Sequence, residues 1–159
     1  MYQVSVAPPI PNAQVAVLTL LMVAVVILAG DQISKRLAIR SVRKRAAFPD
    51  WSGPRIRLIR NPNLGLGIVR RPSVLMVIWG ASLVSIVFLV YRFSFLQGPV
   101  AVVALGAAIG GATGNLVDIM RRGAVVDFID LRVWPVFNLA DAAIVAGLLA
   151  AAVSIAFVA

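Results

Sequence analysis

The fold class predicted by this chain is an all-α membrane protein of four transmembrane helices, with a small β-element between the first two. Three observations predict it. Of the 159 residues, 61% are apolar, and the mean hydropathy is +0.97, well above the usual balance of a soluble domain. The apolar residues fall into four runs, each near the ~20 residues that cross a hydrocarbon core. The charged residues are only 13% of the chain, and they gather at run ends and between the first two runs. A chain of this length predicts one domain, residues 1–159.

The first run extends from about Ala13 to Gly30. It has no basic segment before it, and Asp31-Gln32 follows it instead of a small-residue cleavage site. It therefore reads as a retained span rather than a removed leader. The second, third and fourth runs cover residues 73–91, 99–116 and 136–159. All four are rich in Val, Ile, Leu and Ala. In lipid the backbone must satisfy its own hydrogen bonds, which leaves helices. An even number of spans puts both termini on one side.

Most of the 15 basic residues lie between the first two spans, from Lys35 to Arg71. They read as a solvated surface near anionic headgroups. A nucleic-acid patch is disfavoured, because the segment carries no recognition motif and sits between two spans. Within it, Arg55-Ile56-Arg57-Leu58-Ile59-Arg60 alternates charge and apolar character, the period of a strand with one wet face. Pro49, Ser52, Gly53 and Pro54 mark turns before it.

The chain has no Cys, no His and no Glu. Thiol nucleophiles, disulfides, zinc sites of the usual kind and Ser-His-Asp triads are thereby excluded. General acid/base chemistry falls to the six aspartates, with Lys35 and the tyrosines as the remaining options.

Those aspartates sit in four polar clusters, and each has a local reading. Asp31 and Lys35, four apart, can pair on one helix face. An Asp near a helix C-terminus opposes the macrodipole, so it needs a reason to be there. Gly110 and Gly114 make a small-xxx-small face for helix packing. That does not account for Asn115 and Asp118, which reach the interface or serve a site. Asp127 lies in an extended apolar stretch, Ala124 to Ile129. It is either a solvent-facing loop carboxylate or one desolvated by its neighbours, with its pKa raised. Asn138 and Asp141 have the spacing of an N-cap and its capping box. Four-helix topology gathers all of these on one membrane face, where isolated caps would scatter over both. Two close carboxylates then split their pKa values, as an acid/base pair that activates water requires. Asp130 is expected to be peripheral and Asp50 to be a surface turn residue.

Taken in order, these clusters resemble the prolipoprotein signal peptidase (type II) family of membrane aspartic proteases. The matching residues are Asp31-Gln32 with Lys35, then Gly110-Gly111-Ala112 with Gly114-Asn115 and Asp118. Gly123 with Val125-Val126-Asp127-Phe128 follows, and then Phe137-Asn138 with Ala140-Asp141. The resemblance spans essentially the whole chain. It implies an aspartic endopeptidase that removes the signal peptide from diacylglyceryl-modified prolipoproteins, cutting before the lipidated cysteine. Its implied catalytic pair is Asp127 and Asp141. Asp31, Lys35, Asn61, Asn115, Asp118 and Asn138 are implied to support the site and bind substrate. One aspartate would activate a water while its protonated partner donates to the scissile carbonyl and then to the leaving amine. No cofactor or metal is implied. The implied partners are lipidated prolipoproteins and membrane phospholipids, with the protein a monomer.

Two departures stand out. The family has Arg directly after the aspartate matching Asp118, where this chain has Ile119, with Arg121 and Arg122 close behind. The family's Asn-x-Gly-Ala-Ala-Phe-like segment reads Asn61-Pro-Asn-Leu-Gly-Leu-Gly67 here. An ungapped match selects Asn61 and puts Leu66 in place of Phe. The resemblance also implies a multi-pass protein of the bacterial cytoplasmic (inner) membrane, with the β-element and active site near the extracytoplasmic face. The charge map alone argues the reverse, since the positive-inside rule would put the basic segment in the cytoplasm. Two other readings remain: an inactive scaffold on the peptidase fold, and a small proton-coupled carrier using the intramembrane carboxylates.

Overall fold

The computed structural model describes residues 12–44, 54–62 and 72–157. Four helices and two strands follow in the order α1 (Ala13–Lys44), β1 (Arg55–Asn61), α2 (Pro72–Arg92), α3 (Pro99–Arg122), β2 (Val125–Asp130) and α4 (Leu139–Ala156), with a short 3-10 turn, Ser94–Gln97, between α2 and α3. Each helix is long and apolar enough to span a membrane. The predicted all-α membrane architecture with a small β-element is the one observed. The expectation for Asp50 and the motif positions after Pro62 lie outside the described residues.

Helix α3 is the centre of the bundle, packed between α1 and α4. Its glycines are the cause, because they let neighbouring backbones approach where a side chain would not fit. A Cβ on Gly110 would lie 2.5 Å from the Ala24 carbonyl oxygen of α1, and one on Gly111 would lie 2.5 Å from that of Ala140 in α4. The small-xxx-small reading of Gly110 and Gly114 is therefore right, and Gly111 of α3 and Gly147 of α4 do the same work between those two helices. Outward-facing Met22, Val25, Val77, Val84, Leu149 and Val153 are exposed, as they must be where the solvent is lipid.

Helix ends follow their sequence signals. Pro99 opens α3 in the first turn, and Gly123 closes it in the left-handed region, φ 70°, its N–H donating to the Ile119 carbonyl at 3.0 Å. A left-handed cap of this kind favours glycine. Asn138 caps α4, and the full capping box with Asp141 is present.

Two helices are longer than their apolar runs. α1 continues to Lys44, about 48 Å in all at 1.5 Å per residue, well beyond a core of about 30 Å. Asp31 and Lys35 are thus interior to a helix rather than at its end, and the macrodipole objection to Asp31 does not apply. Likewise α3 runs to Arg122, so Asn115 and Asp118 sit within it. The hydropathy drop marks where the helix leaves lipid, not where it stops.

The strands β1 and β2 pair antiparallel, with Ile59 opposite Asp127 and Arg55 opposite Asp130, and the register shifts between Ile56 and Ile59. Such an irregularity bends and twists a strand. Phe137 extends the other edge of β2 through a bridge to Ile129.

Candidate active site

The polar clusters converge at one end of the bundle in two connected tiers. The inner tier is built around Lys35, whose side chain is fully buried. Its ammonium lies 2.8 Å from Asp31 Oδ2, 2.8 Å from Asp118 Oδ2 and 3.0 Å from Asn115 Oδ1. A buried cation is tolerated only with such partners. The carboxylates are themselves satisfied. Asp31 Oδ1 accepts the Ala140 N–H at the start of α4, 3.0 Å away. Asp118 Oδ2 accepts the Val126 N–H of β2 at 3.2 Å, and its Oδ1 pairs with Arg122. Gln32 Nε2 donates to Asp118 Oδ1, Asp31 Oδ2 and the Gly114 carbonyl, each at 3.2 Å. This tier ties α1, α3, α4 and β2 into one position.

The outer tier rests on it. Asn115 holds Lys35 through its oxygen, while its Nδ2 donates to Asp141 Oδ1 at 2.7 Å. Asn138 Nδ2 donates to Asp127 Oδ1 at 2.7 Å and to Asn115 Oδ1 at 3.2 Å. Its own Oδ1 accepts the Asp141 N–H at 2.9 Å. Asn61 Nδ2 reaches Asp127 Oδ2 at 3.3 Å. The same Asn138 that caps α4 thus links the two aspartates. All eight predicted site residues, Asp31, Lys35, Asn61, Asn115, Asp118, Asp127, Asn138 and Asp141, lie in this one network.

Asp127 is buried. Burial pushes its carboxyl above the usual range, and the nearby Asp141 charge adds to this, while hydrogen bonds from Asn138 and Asn61 pull the other way. The environment of Asp127 thus disfavours its charged form.

The two aspartates open on different spaces. Asp141 and Asn115 form the polar end of an otherwise apolar cleft of about 300 Å³ between α2, α3 and α4, lined by Leu75, Ile78, Ile109 and Leu116 among others. Trp79 Nε1 donates to Thr113 Oγ1 at 3.0 Å and holds α2 against α3 there. Asp127 instead lines a polar groove between β1 and the β2–α4 connection, shared with Asn61, Arg57 and Trp134.

Three features escaped sequence reasoning. Arg122 supplies Asp118 with a cation from the helical i+4 position, where Ile119 could not. The Asp118-to-Arg122 spacing was a readable signal for it. Asp130, expected to be peripheral, stands outside the two tiers but is buried and paired, with Arg55 Nε 2.9 Å from its Oδ2, and that hydrogen bond holds its carboxyl below the usual range. Arg55 lies 75 residues away in sequence, so only strand pairing shows the contact. Gly114 is not merely a packing residue. A Cβ there would stand 2.5 Å from Asp31 Oδ2.

Comparison with known proteins places the chain in a family. The family model described as signal peptidase (SPase) II matches residues 23–157. A lipoprotein signal peptidase of Moorella thermoacetica is 36% identical over 130 residues, covering 81% of this chain and 87% of that one. One from Rhodococcus jostii is 35% identical over 150 residues, covering 89% and 74%. A solved structure titled as a bacterial membrane enzyme determined by the in meso method at 2.3 Å superposes with a TM-score of 0.70 at 26% identity, covering 87% of this chain and 88% of that one. The family model's span includes every residue of both tiers, and this chain belongs to the signal peptidase II family.

Proposed function

We propose that this protein is a membrane aspartic endopeptidase that releases the signal peptide from diacylglyceryl-modified prolipoproteins, with Asp127 and Asp141 as its catalytic pair. The observation that carries the reading is the shared Asn138. It joins two aspartates from different elements where an apolar cleft meets a polar groove. Asp127 carries the proton that the pair shares, and Asp141 is the base.

The steps follow from that assignment. Asp141 takes a proton from water as its oxygen attacks the scissile carbonyl carbon. Asp127 gives its proton to the carbonyl oxygen, producing a tetrahedral diol. Asp141 then passes its proton to the amide nitrogen as the C–N bond breaks. Asp127 recovers a proton from the collapsing hydroxyl, which leaves a carboxyl on the signal peptide and an amine on the lipidated cysteine. This is the division of labour that unequal carboxylates permit. Asn115, Asn138 and Asn61 aim the carboxylates, and the Lys35 tier holds Asn115. The apolar cleft takes substrate from the bilayer, and the site faces the extracytoplasmic side of the bacterial inner membrane. Arg122 meets the need created by Ile119, so that departure leaves the site complete and favours an enzyme over an inert scaffold.

The test is cleavage of a lipidated precursor peptide by purified Asp127→Asn and Asp141→Asn variants. Each should lose at least ~10³-fold in kcat, as expected when an acid or base is removed, while inserting and melting like the parent. Turnover near the parent's rate in either variant would overturn the assignment.

A further inference from the structure

We infer that the polar groove beside Asp127 is a specificity subsite for the mature segment of the substrate, favouring acidic residues a few positions after the cleavage point; this rests on the proposed function. The groove holds about 530 Å³. Along β1, Arg55, Arg57, Ile59 and Asn61 all line it, the irregularity between Ile56 and Ile59 turning the strand so that both halves reach the groove. Asn61 stands at the catalytic end, bonded to Asp127. Arg57 is four residues back, about 13 Å along the strand at ~3.3 Å per residue.

Its charge is set by what is already neutralised. Asp130 is held by Arg55 Nε at 2.9 Å and by the Arg132 N–H at 2.9 Å. By count, three arginines, Arg55, Arg57 and Arg132, line the groove against two aspartates, Asp127 and Asp130, so its wall is net positive, and Arg57 is exposed.

Geometry selects the occupant. A scissile bond at the pair has an apolar cleft on one side, suited to the signal peptide and acyl chains. The chain leaving the other side enters the groove at Asn61. Extended, it gains the same ~3.3 Å per residue as β1. Its fifth residue, counting the lipidated cysteine as first, therefore comes abreast of Arg57, or its fourth where the irregularity between Ile56 and Ile59 shortens β1. An anionic lipid headgroup has the same charge, but the groove's continuity with Asp127 favours the peptide.

The experiment compares three precursor peptides, identical through the lipidated cysteine, with Asp-Asp, Ser-Ser or Lys-Lys at the fourth and fifth mature positions, in zwitterionic detergent. The parent should favour Asp-Asp over Lys-Lys by about fivefold in kcat/KM, the scale of exposed ion pairs, and less at high salt. Arg57→Gln should flatten the order and Arg57→Glu should invert it. Equal kcat/KM for all three peptides overturns the subsite alone. So does an Arg57→Glu effect that is uniform across peptides and tracks added anionic phospholipid, which assigns Arg57 to a headgroup. Failure of the parent to cleave any of the three overturns the proposed function and the subsite together.

Discussion

Lys35 has three oxygen partners and no exposure, and its removal leaves two carboxylates without their shared cation. Breaking a buried pair costs roughly 3–5 kcal/mol because the remaining charge is uncompensated. Lys35→Met should therefore lower the thermal midpoint in detergent sharply, and lower activity with it through Asn115. An unchanged midpoint would mean that the tier contributes little to stability. Asn61 acts more gently. Its hydrogen bond favours the ionised form of Asp127, so Asn61→Ala should raise that carboxyl's pKa. The protonated acid then survives to higher pH, and the alkaline limb of the kcat profile should move upward. Because the pair titrates together, the shift belongs to the dyad's apparent values. A limb that stays in place, or moves down, contradicts Asp127 as the proton carrier.

Among the elements, α3 decides the outcome, because small residues bring it close to α1 and α4. Gly114 is the sharpest case, at the contact between helix packing and the inner tier. Gly114→Ala forces a methyl group to within 2.5 Å of Asp31 Oδ2, and overpacking of this kind costs about 1–3 kcal/mol. Gly80 in α2 has nothing within 4 Å of an added Cβ. There the alanine should be neutral or stabilising by up to about 1 kcal/mol, the helix preference for Ala over Gly. Thermal melts and peptide cleavage of the two variants side by side measure the contrast. Equal behaviour would remove the role given to close approach at Gly114. The β-pair contributes differently: it carries Asp127 on β2 and Asn61 on β1, and the Asp118 bond to Val126 N–H fixes it on α3.

At the scale of the whole molecule, the two ends of the bundle differ in kind. One end is an apolar plug of Ala16, Leu20, Val90, Leu96 and Val102. The other carries both polar tiers, the strand pair and exposed Val133 and Trp134, residues suited to a membrane–water interface. The described arginines of β1, Arg55, Arg57 and Arg60, lie at this second end, so orientation separates the charge rule from the proposed exported substrate. The chain has no native Cys, so single cysteines report cleanly. Trp134→Cys should react with an impermeant maleimide added outside spheroplasts, and Phe95→Cys, at the opposite end, should react only after lysis. The reverse pattern would place the site in the cytoplasm.

By itself, the sequence determined the solvent, the number of helices, the alternating strand and the roster of polar residues. Hydropathy and periodicity are local properties, and four apolar runs with one even topology leave little choice of where the aspartates gather. It also carried the Asn138–Asp141 capping box, which is local in the same sense. The tertiary structure alone decided how those residues divide. Asp31 and Asp118 became a buried lysine's partners, because α1 and α3 continue past their apolar runs and Gly114 leaves room for the Asp31 side chain between them. Asp130 became Arg55's partner through strand pairing over 75 residues. Asp127 was separated from Asp141 by what each faces, a polar groove and an apolar cleft. Such differences in burial arise only when distant elements pack, and they are what distinguish an acid from a base.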